Sequence, residues 1–434
     1  MHPTAPDAPS AQDDGRSNDL PGAQHLQSKA LGHGEQLFMG LMSGTSLDGV
    51  DAVLVDFSAP SIRTLGHAFT PFDAAFKDEL LALNSPGSNE LHRANLASNK
   101  LSSLYAQTCL SLLKRLSISP NRIIALGAHG QTIRHQPQAH DAWGYTTQLL
   151  SAHLLAELTG MDVIHDFRSR DLFAGGQGAP LVPAFHQQVF ASPDALRVIL
   201  NIGGMSNVSI LPPVGTPLSE TVESQDASHA RQRVAGFDCG PGNVLMDLWC
   251  AKHTGKPFDE DGQWAQQGHV HEGLLAHLLA EPFFHLPPPK STGRDLFNAT
   301  WLEAKLAAFK HVAPQDVQAT LCALTAHSIL LALDQHLKAG LATPTLSSHL
   351  ELVVCGGGAL NTTLVHHLVE FSTSYQTLQT MTCLSSEDLG CPPQEVEAVA
   401  FAWLARQRVL GLSANLPQVT GAKGTRVLGS WVRA

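Results

Sequence analysis

Three glycine-rich turns, each entered from a short apolar run, constrain the fold of this chain more than any other feature. They are Ser-Gly-Thr-Ser-Leu-Asp-Gly at 43–49, Gly-Gly at 203–204 and Gly-Gly-Gly at 356–358. Glycine tolerates backbone conformations and close approaches that other residues do not. The first two turns lead into another apolar run and predict β-hairpins, whereas the third leads into a helix. Two hairpins followed by a strand–glycine–helix unit predict two halves of similar design that face one ligand.

The apolar pattern predicts an α/β fold with mixed sheets. Runs of apolar residues predict strands at 37–42, 50–57, 123–128, 162–165, 198–202, 208–211 and 350–355. Apolar residues at helical spacing predict helices at 96–116, 147–159, 243–253, 317–336 and 394–410. Strands that alternate with helices indicate an α/β protein. Short glycine turns between neighbouring strands indicate that the sheets are mixed and not purely parallel.

Charge and cysteine content exclude several classes of protein. The 27 basic residues are outnumbered by 38 acidic ones, giving a net charge of −11, which argues against non-specific nucleic-acid binding. No apolar run approaches the roughly 18 residues of a membrane-spanning helix. The 7 cysteines include no Cys-x-x-Cys pair, so neither a disulfide framework nor a structural zinc site is expected. We therefore predict a cytoplasmic protein without nucleic-acid or membrane partners.

A length of 434 residues predicts two or three domains. Residues 1–35 are rich in Pro, Ala, Asp, Gly, Ser and Gln, which predicts a disordered leader, and they lack the apolar stretch of a signal peptide. Residues 212–234 are polar and predict a surface insertion. We expect a first α/β domain at 36–195 and a second at 196–434.

The first glycine turn has the composition of a phosphate-binding loop. Backbone N–H groups in such a turn can form a nest for an anion, and Thr45 and Ser46 add hydroxyl donors. Asp48 and Asp51 would repel phosphate unless Mg²⁺ lies between them. The Gly-Lys-Ser/Thr ending of a Walker loop is absent. The alternative is an Asp-Gly hairpin turn that binds nothing.

Three further polar segments follow apolar strands. Residues 166–171 carry two aspartates and two arginines ahead of a glycine-rich stretch, which suits either a small-molecule pocket or an ion-paired loop. His129 ends a strand and is either a ligand contact or a donor that fixes its loop. Asp238 lies in a tight turn before a helix, where a carboxylate can act as a general base or as a helix cap.

These motifs together resemble one family, the anhydro-N-acetylmuramic acid kinases, which belong to the actin, sugar-kinase and Hsp70 superfamily. The resemblance spans nearly all of the chain outside the leader and the insertion. The matching segments are MSGTSLDGVD at 42–51, GAHGQTIRHQP at 127–137, DFRSRDLFAGGQGAPLVP at 166–183, NIGGMSNV at 201–208, GFDCGPGN at 236–243, PKSTGRDLFN at 289–298 and CGGGALN at 355–361.

The resemblance implies two actin-like, ribonuclease-H-like α/β domains with mixed sheets around a central nucleotide cleft. It implies a reaction in which ATP, water and 1,6-anhydro-N-acetylmuramic acid give N-acetylmuramic acid 6-phosphate and ADP, a step in the recycling of cell-wall sugars. ATP and Mg²⁺ are the implied cofactors. The resemblance also implies a homodimer.

Site residues follow by position from the same resemblance. Asp238 is implied as the catalytic base, and Asp48 and Asp51 as Mg²⁺ ligands. The residues implied in ATP binding are Gly44, Thr45, Ser46, Leu47, Asp48, Gly49, Val50, Asp51, Gly203, Gly204, Gly356, Gly357 and Gly358. The candidates for sugar binding are His129, Asp166, Arg168, Arg170, Asp171 and Gln177, with Arg168 or Arg170 pairing with the lactyl carboxylate. The polar loop at 290–295 has no assigned role.

Three rival functions stay open at this point. Another sugar kinase of the superfamily would phosphorylate a simple hexose without incorporating water. A nucleotide-dependent switch would bind ATP and a partner protein, but it needs no polar pocket such as 166–183. A metalloprotease-like member would need paired histidine ligands, which the sequence does not show.

Overall fold

The computed structural model of the chain describes residues 34–44, 46–59, 61–214, 234–288, 290–339 and 349–434. The chain divides into two units, of which the first takes in the described part of Met1–Leu181 together with Glu397–Ala434 and the second is Val182–Val396. Residues 397–434, which the sequence-based division places in the second domain, thus contact the first unit. The predicted leader, except residues 34–35, and the predicted insertion, except 212–214 and 234, lie outside the described residues.

The first unit is built on a six-stranded mixed sheet and a separate hairpin. Its strands are β1 (Leu37–Met42), β2 (Gly49–Asp56), β3 (Arg63–Pro71), β4 (Ala125–Ala128), β5 (Gln131–Pro137), β6 (Gly144–Leu149), β7 (Val163–His165) and β13 (Ser430–Val432). The sheet order is β13-β7-β4-β1-β2-β3. Strands β1, β2 and β3 form an antiparallel meander, β4 and β7 extend it in parallel, and β13 runs antiparallel to β7. The hairpin consists of β5 and β6.

The helices of the first unit cover its sheet. They are α1 (Ala74–Leu83), α2 (Glu90–Leu116), α3 (Ala152–Thr159), α4 (Ser169–Phe173), α12 (Val396–Leu410) and α13 (Pro417–Thr420). Helix α12 lies directly against β1 and β4. A Cβ at Gly40 would be 1.7 Å from the Ala398 carbonyl oxygen, and one at Gly127 would be 2.0 Å from that of Phe401. Glycine at these two strand positions therefore lets the C-terminal helix pack onto the first sheet.

The second unit is built on a five-stranded sheet with the same meander and parallel extension. Its strands are β8 (Ala195–Ile202), β9 (Met205–Leu211), β10 (Ala235–Pro241), β11 (His349–Cys355) and β12 (Thr382–Ser385), in the order β10-β9-β8-β11-β12. Strands β8, β9 and β10 are antiparallel neighbours, and β11 and β12 extend β8 in parallel. The predicted α/β fold with mixed sheets and two halves of similar design is confirmed.

One long helix forms the core of the second unit. The helices are α5 (Val182–Phe190), α6 (Val244–Thr254), α7 (Gln263–Gln266), α8 (Glu272–Leu279), α9 (Ala299–Leu306), α10 (Pro314–Lys338) and α11 (Thr362–Ser372). Helix α10 alone among the described helices has the length and hydropathy of a membrane span, but most of its apolar stretch is buried inside the protein. Short 3-10 turns lie at Pro120–Arg122, Glu260–Gly262, Pro282–His285, Gly357–Leu360 and Ser386–Leu389.

The prediction of a helix over 147–159 is wrong in its first part. Gly144–Leu149 is strand β6, which pairs with β5, and the helix starts only at Ala152. The β-branched Thr146 and Thr147 favour a strand once a partner strand is present. The predicted helix over 96–116 begins earlier, at Glu90, and strand β3, which has no buried residue, was not predicted.

Candidate active site

The turn between β1 and β2 is anchored by apolar residues, while part of its backbone stays accessible. The Leu47 N–H donates to the Gly44 carbonyl over 3.1 Å, and Leu47 is buried at a positive φ of 58°. Val50 is buried as well. A Cβ at Gly49 would lie 2.3 Å from the Thr70 carbonyl oxygen, so β3 closes on the end of the turn only because residue 49 is glycine. Thr45 lies outside the described residues, and Gly44 and Ser46 are half-buried.

The two aspartates implied as Mg²⁺ ligands differ in their surroundings. Asp48 is exposed, and its Oδ1 lies 3.4 Å from Lys77 Nζ. Asp51 is mostly shielded, and its Oδ1 lies 2.7 Å from His67 Nε2. Among the described residues, no group of three or more Asp, Glu, His or Cys side chains is placed to hold a metal. Two carboxylates could hold Mg²⁺ only in a setting where substrate phosphates supply further ligands, and here each carboxylate also lies near a side-chain nitrogen.

His129 links the first glycine turn, residues 43–49, to the arginine loop, by which we mean residues 166–178. Arg168 Nη2 lies 3.0 Å from His129 Nε2, and His129 Nδ1 lies 3.3 Å from the Ser43 carbonyl oxygen. Burial, helped by the charge of Arg168, lowers the pKa of His129 to about 3, so the imidazole is neutral. Since arginine only donates, Nε2 must accept and Nδ1–H must donate to Ser43. Ser43 in turn donates from Oγ to Gln131 Oε1.

Arg168 is a mostly buried cation with an unused donor. Its Nη1 donates to the Gly178 carbonyl over 3.0 Å, and its buried Nε has no hydrogen-bond partner among the described residues. Burial lowers the pKa of Arg168 to about 10, with Glu397 partly offsetting this effect, so the guanidinium stays charged at neutral pH. A charged, partly unsatisfied guanidinium is suited to an anionic ligand such as a carboxylate.

Asp171 and Gln177 tie the arginine loop to the C-terminal segment. Asp171 is fully buried; its Oδ1 accepts from Asn415 and Thr420 over 2.6 and 2.7 Å, and its Oδ2 accepts from the Gly178 N–H over 2.8 Å. Gln177 has an exposed side chain, and its N–H donates to the Thr420 carbonyl over 2.7 Å. The carboxylate of Asp171 is thus fully engaged in holding the loop.

Asp166 and Arg170 lie apart from the His129–Arg168 pair. Asp166, at a positive φ of 52°, accepts from the Ser169 hydroxyl over 2.6 Å. Together with Arg170 it lines a separate cavity formed with the C-terminal segment. The structure therefore brings His129 and Arg168 together beside Ser43 and directs Asp166 and Arg170 elsewhere.

The glycine turns of the second unit meet at the start of α6. The Gly203 and Gly204 carbonyls accept from the N–H groups of residues 242–244 over 2.9–3.2 Å. A Cβ at Gly356, where φ is +79°, would be 2.3 Å from Asn201 Oδ1, and one at Gly358 would be 2.3 Å from Ile202 Cγ2. The chain after β11 therefore packs closely against the end of β8, and a side chain at position 356 or 358 would not fit.

Asp238 lies on β10 with one carboxylate oxygen held in place. Its Oδ2 accepts from the Ser291 hydroxyl and from the Thr292 N–H, both over 2.9 Å, and its own N–H donates to the Lys290 carbonyl over 3.1 Å. Among the described residues, no protein donor binds Oδ1. Burial raises the pKa of Asp238, while the hydrogen bonds from Thr292 and Ser291 and the charge of Lys290 partly offset that rise.

The strand register extends this polar face across the sheet. Asp238 is the Cα partner of Asn207, and Asn207 is the partner of Asn201. Directly opposed residues of antiparallel strands share a face of the sheet. Asn201, Asn207 and Asp238 therefore form a polar row, and the two asparagines were not predicted as site residues although both belong to the NIGGMSNV motif.

The loop at 290–295, to which the sequence assigned no role, contacts Asp238 in the structure. Lys290 is almost fully buried, and its Nζ donates to the Phe283 and Phe284 carbonyls over 3.4 and 3.3 Å. Burial lowers the pKa of Lys290, which the charge of Asp238 partly offsets. Arg294 approaches the glycine turn, since its Nη2 lies 3.8 Å from where a Cβ of Gly204 would be. The signal was the motif PKSTGRDLFN itself, but its contacts lie more than fifty residues away in sequence.

The chain matches known proteins over most of its length. The family described as anhydro-N-acetylmuramic acid kinase matches residues 36–434. The protein of that name from Albidiferax ferrireducens is 52% identical over 400 residues, covering 91% of this chain and 98% of its own length. The namesakes from Variovorax paradoxus and Nitrosomonas europaea are 52% and 49% identical, each covering 91% of this chain and 98% of its own length.

Similar solved structures are more distant. A ROK family glucokinase from Streptomyces griseus, in complex with glucose and AMPPNP, is 12% identical with a TM-score of 0.36, covering 86% of this chain and 99% of its own. A ROK hexokinase from Thermus thermophilus is 15% identical with a TM-score of 0.34, covering 85% and 99%. The family match over residues 36–434 and the relatives at about half identity show that the chain belongs to the anhydro-N-acetylmuramic acid kinase family.

Proposed function

We propose that this chain carries out the reaction for which its family is named, and that Asp238 is the base. The enzyme is an ATP-dependent sugar kinase of cell-wall recycling: ATP, water and 1,6-anhydro-N-acetylmuramic acid give N-acetylmuramic acid 6-phosphate and ADP. One observation supports the choice of Asp238 above the others. Its Oδ2 is held by two donors, while Oδ1 is left for a water molecule.

In the proposed mechanism, Asp238 takes a proton from water and the water oxygen attacks the anomeric carbon. The bond between that carbon and O6 breaks, and O6 carries the electron pair to the γ-phosphorus of ATP. ADP leaves, and Asp238 later returns its proton to solvent. A pKa raised by burial makes this carboxylate a stronger base than an exposed aspartate, as general base catalysis requires.

The loop at 290–295 orients the base. Hydrogen bonds from Ser291 and the Thr292 N–H fix the plane of the Asp238 carboxylate. The nearby charge of Lys290 favours the ionised form of that carboxylate. Ser291, Thr292 and Lys290 are therefore positioning residues for Asp238.

The glycine turns bind the nucleotide. We assign the ATP phosphates to residues 44–51 and the rest of the nucleotide to Gly203, Gly204 and Gly356–Gly358, with Arg294 as an added cation near the second turn. Asp48 and Asp51 would hold the Mg²⁺ that accompanies ATP, and that ion would supply charge neutralisation at the phosphates. Positioning and charge stabilisation are the main tasks of a protein in phosphoryl transfer.

The sugar is recognised through Arg168. Its charged guanidinium suits the lactyl carboxylate of the substrate, and neutral His129 holds the guanidinium in place. Of the two arginines predicted for this carboxylate we favour Arg168 over Arg170, because Arg168 is joined through His129 to the β1–β2 turn. Asp171 and Gln177 act by fixing the loop that carries Arg168.

A cytoplasmic location and a homodimer complete the proposal. Intracellular ATP and a recycled sugar are both found in the cytoplasm. Light scattering coupled to gel filtration measures the oligomeric state directly, and a mass near 46.3 kDa would contradict the dimer.

The decisive experiment is an assay with ATP, Mg²⁺ and 1,6-anhydro-N-acetylmuramic acid in ¹⁸O-labelled water, analysed by mass spectrometry. We expect a phosphorylated product that carries one ¹⁸O. N-acetylglucosamine serves as a control substrate, since it has no anhydro bond to open. Phosphorylation of the control alone, without ¹⁸O, would favour a simple hexose kinase instead.

A further inference from the structure

A cavity of about 610 Å³ lies entirely within the first unit and is lined by three arginines. Arg170 comes from α4, Arg408 from α12, and Arg426 from the segment that leads to β13. Asp166 is the one carboxylate in the lining. Phe173 and Trp431 add aromatic surface. Three arginines therefore line one cavity in a chain whose acidic residues outnumber its basic ones.

The three guanidiniums have donors to spare. Among the described residues, none of the three arginines forms an ion pair with a carboxylate. Arg408 donates from Nε to the Gly429 carbonyl over 2.9 Å, and Arg426 donates from Nη1 to the Thr425 carbonyl over 2.8 Å. Each guanidinium carries five N–H groups, so most of them remain for a ligand.

The electrostatics of the cavity favour an anion. Three guanidiniums face one carboxylate, and that carboxylate already accepts hydrogen bonds from Ser169. Burial, and to a smaller extent the charge of nearby Arg170, lowers the pKa of Arg408. Placing like charges together without a counter-ion costs free energy, and a bound dianion would offset that cost.

The cavity is distinct from the proposed active site. It lies at the β13 edge of the sheet, whereas the phosphate turn follows β1, and strands β7 and β4 separate the two. With neighbouring strands about 4.8 Å apart, β1 and β13 are separated by roughly 14 Å. Arg168 and His129 contact the Ser43 side and are not part of the cavity lining.

We propose that this cavity is a second anion site that binds a phosphate monoester through Arg170, Arg408 and Arg426. A phosphate monoester carries about −1.5 to −2 charges at pH 7, which matches three cations and one carboxylate. Guanidinium groups bind phosphate oxygens in bidentate fashion. The volume exceeds that of a phosphate group and falls within the range of small-molecule pockets, so the cavity has room for the organic part of an ester as well.

Binding to nucleotide-loaded enzyme tests the proposal. The full-length chain is saturated with Mg²⁺ and a non-hydrolysable ATP analogue, so that the phosphate turn is filled. Calorimetry then measures binding of three probes: inorganic phosphate, N-acetylmuramic acid 6-phosphate and AMP. We expect Arg426→Gln to weaken binding of the preferred probe about tenfold and Arg426→Glu to weaken it further, as loss of a charged hydrogen bond predicts.

Arg433→Gln is the matched control. Arg433 packs on the Trp431 ring and lies 3.6 Å from Asp162, but it does not line the cavity. We expect its binding to equal that of the unchanged chain. Modification of arginines by phenylglyoxal, mapped by mass spectrometry, gives a second readout that needs no variant. The bound probe should protect Arg408 and Arg426 and leave Arg433 reactive.

The outcomes separate the possible ligands. Equal affinity for inorganic phosphate and the esters would identify the free anion as the ligand. Tighter binding of one ester would show that the site also contacts the organic group of that ester. The proposal is overturned if no probe binds the nucleotide-loaded enzyme, or if Arg426→Glu binds as tightly as the unchanged chain. Because the site does not depend on the assigned reaction, these results stand apart from the ¹⁸O assay.

Discussion

Replacing Asp238 by asparagine separates chemistry from folding. The amide oxygen can still accept the hydrogen bonds from Ser291 and Thr292, but asparagine cannot take a proton from water. We expect Asp238→Asn to bind ATP normally and to lower turnover by about 10²-fold or more. Steady-state kinetics and a nucleotide-binding titration measure both quantities.

The matched control for that variant is Asp194→Asn, since Asp194 is an exposed carboxylate of the same unit. Its turnover should equal that of the unchanged chain. Turnover of Asp238→Asn within a few-fold of normal would show that another carboxylate is the base.

If Asp238 is the base, the hydroxyl of Ser291 should influence the pH at which it works. It donates to Asp238 and thereby lowers a pKa that burial has raised. In Ser291→Ala this contribution is lost, so the pKa of Asp238 rises and a larger fraction of the base is protonated at a given acidic pH. We expect the acid limb of kcat/KM to move to higher pH.

The pH profile of kcat/KM measures the shift, and Ser291→Thr, which keeps the hydroxyl, should restore the original profile. An unchanged acid limb in Ser291→Ala would mean that Asp238 does not control it.

At the residue scale, the sequence predicts Asp238 as the base, and this stays a prediction, but the sequence does not reveal the residues that bind its carboxylate. Asp238 is predictable because it lies in a motif beside a helix start. Ser291 and Thr292 are not, because only the folded sheet brings a loop more than fifty residues distant onto the same carboxylate. Likewise, Asp171 has the appearance of a ligand residue in sequence, and its three buried hydrogen bonds become evident only in the structure.

At the scale of elements, the close approach of β8 and β11 requires glycine. In Gly358→Ala the new methyl group would meet Ile202 at 2.3 Å. Overpacking of this kind costs about 1–3 kcal/mol. We therefore expect a lower free energy of unfolding in urea and weaker nucleotide binding, because the ends of these strands carry the two glycine turns.

Gly273→Ala is the control, because its methyl group, on the exposed side of α8, would have His271 Cε1 at 3.3 Å and Phe309 Cε1 at 3.8 Å as its nearest carbon neighbours, much farther than the 2.3 Å at Gly358. The free energy of unfolding of Gly273→Ala should be unchanged or slightly higher than that of the unchanged chain, because alanine favours a helix more than glycine does. Equal effects of the two substitutions would contradict the packing argument.

Strands next to glycine turns were predicted well because their apolar runs are continuous. The helix predicted over 147–159 failed where β5 supplies a partner for β6, which local spacing cannot reveal. Strand β3 was missed for a related reason. It is an edge strand with mostly half-buried or exposed residues, so its apolar signal is weak.

At the scale of the whole molecule, we predict that the assigned reaction does not need the first 35 residues. The family match begins at residue 36. Starting the chain at Gln36 removes the ion pair between Glu35 and Arg122, an exposed pair of a kind worth about 0–1 kcal/mol. We expect kcat and KM to be unchanged, as steady-state kinetics would show. A several-fold loss of kcat would assign the leader a role in the fold.

The sequence indicated two similar halves but not the order in which the chain builds them. The pattern of polar and apolar residues does not indicate that residues 397–434 belong to the first unit and not to the second. The feature that allows this contact is glycine at positions 40 and 127, because side chains there would collide with α12. These glycines lie more than 270 residues before the helix residues that they contact.

This return of the chain has a consequence for biosynthesis. The second unit is an insertion within the first, whose buried Asp171 finds its partners Asn415 and Thr420 only near the C-terminus. Domains generally form in the order in which the ribosome delivers them. Here the first unit cannot complete its core when its N-terminal part has been translated. It can do so only after the second unit and then residues 397–434 have left the ribosome. A premature stop near the C-terminus would therefore damage the beginning of the protein before its middle.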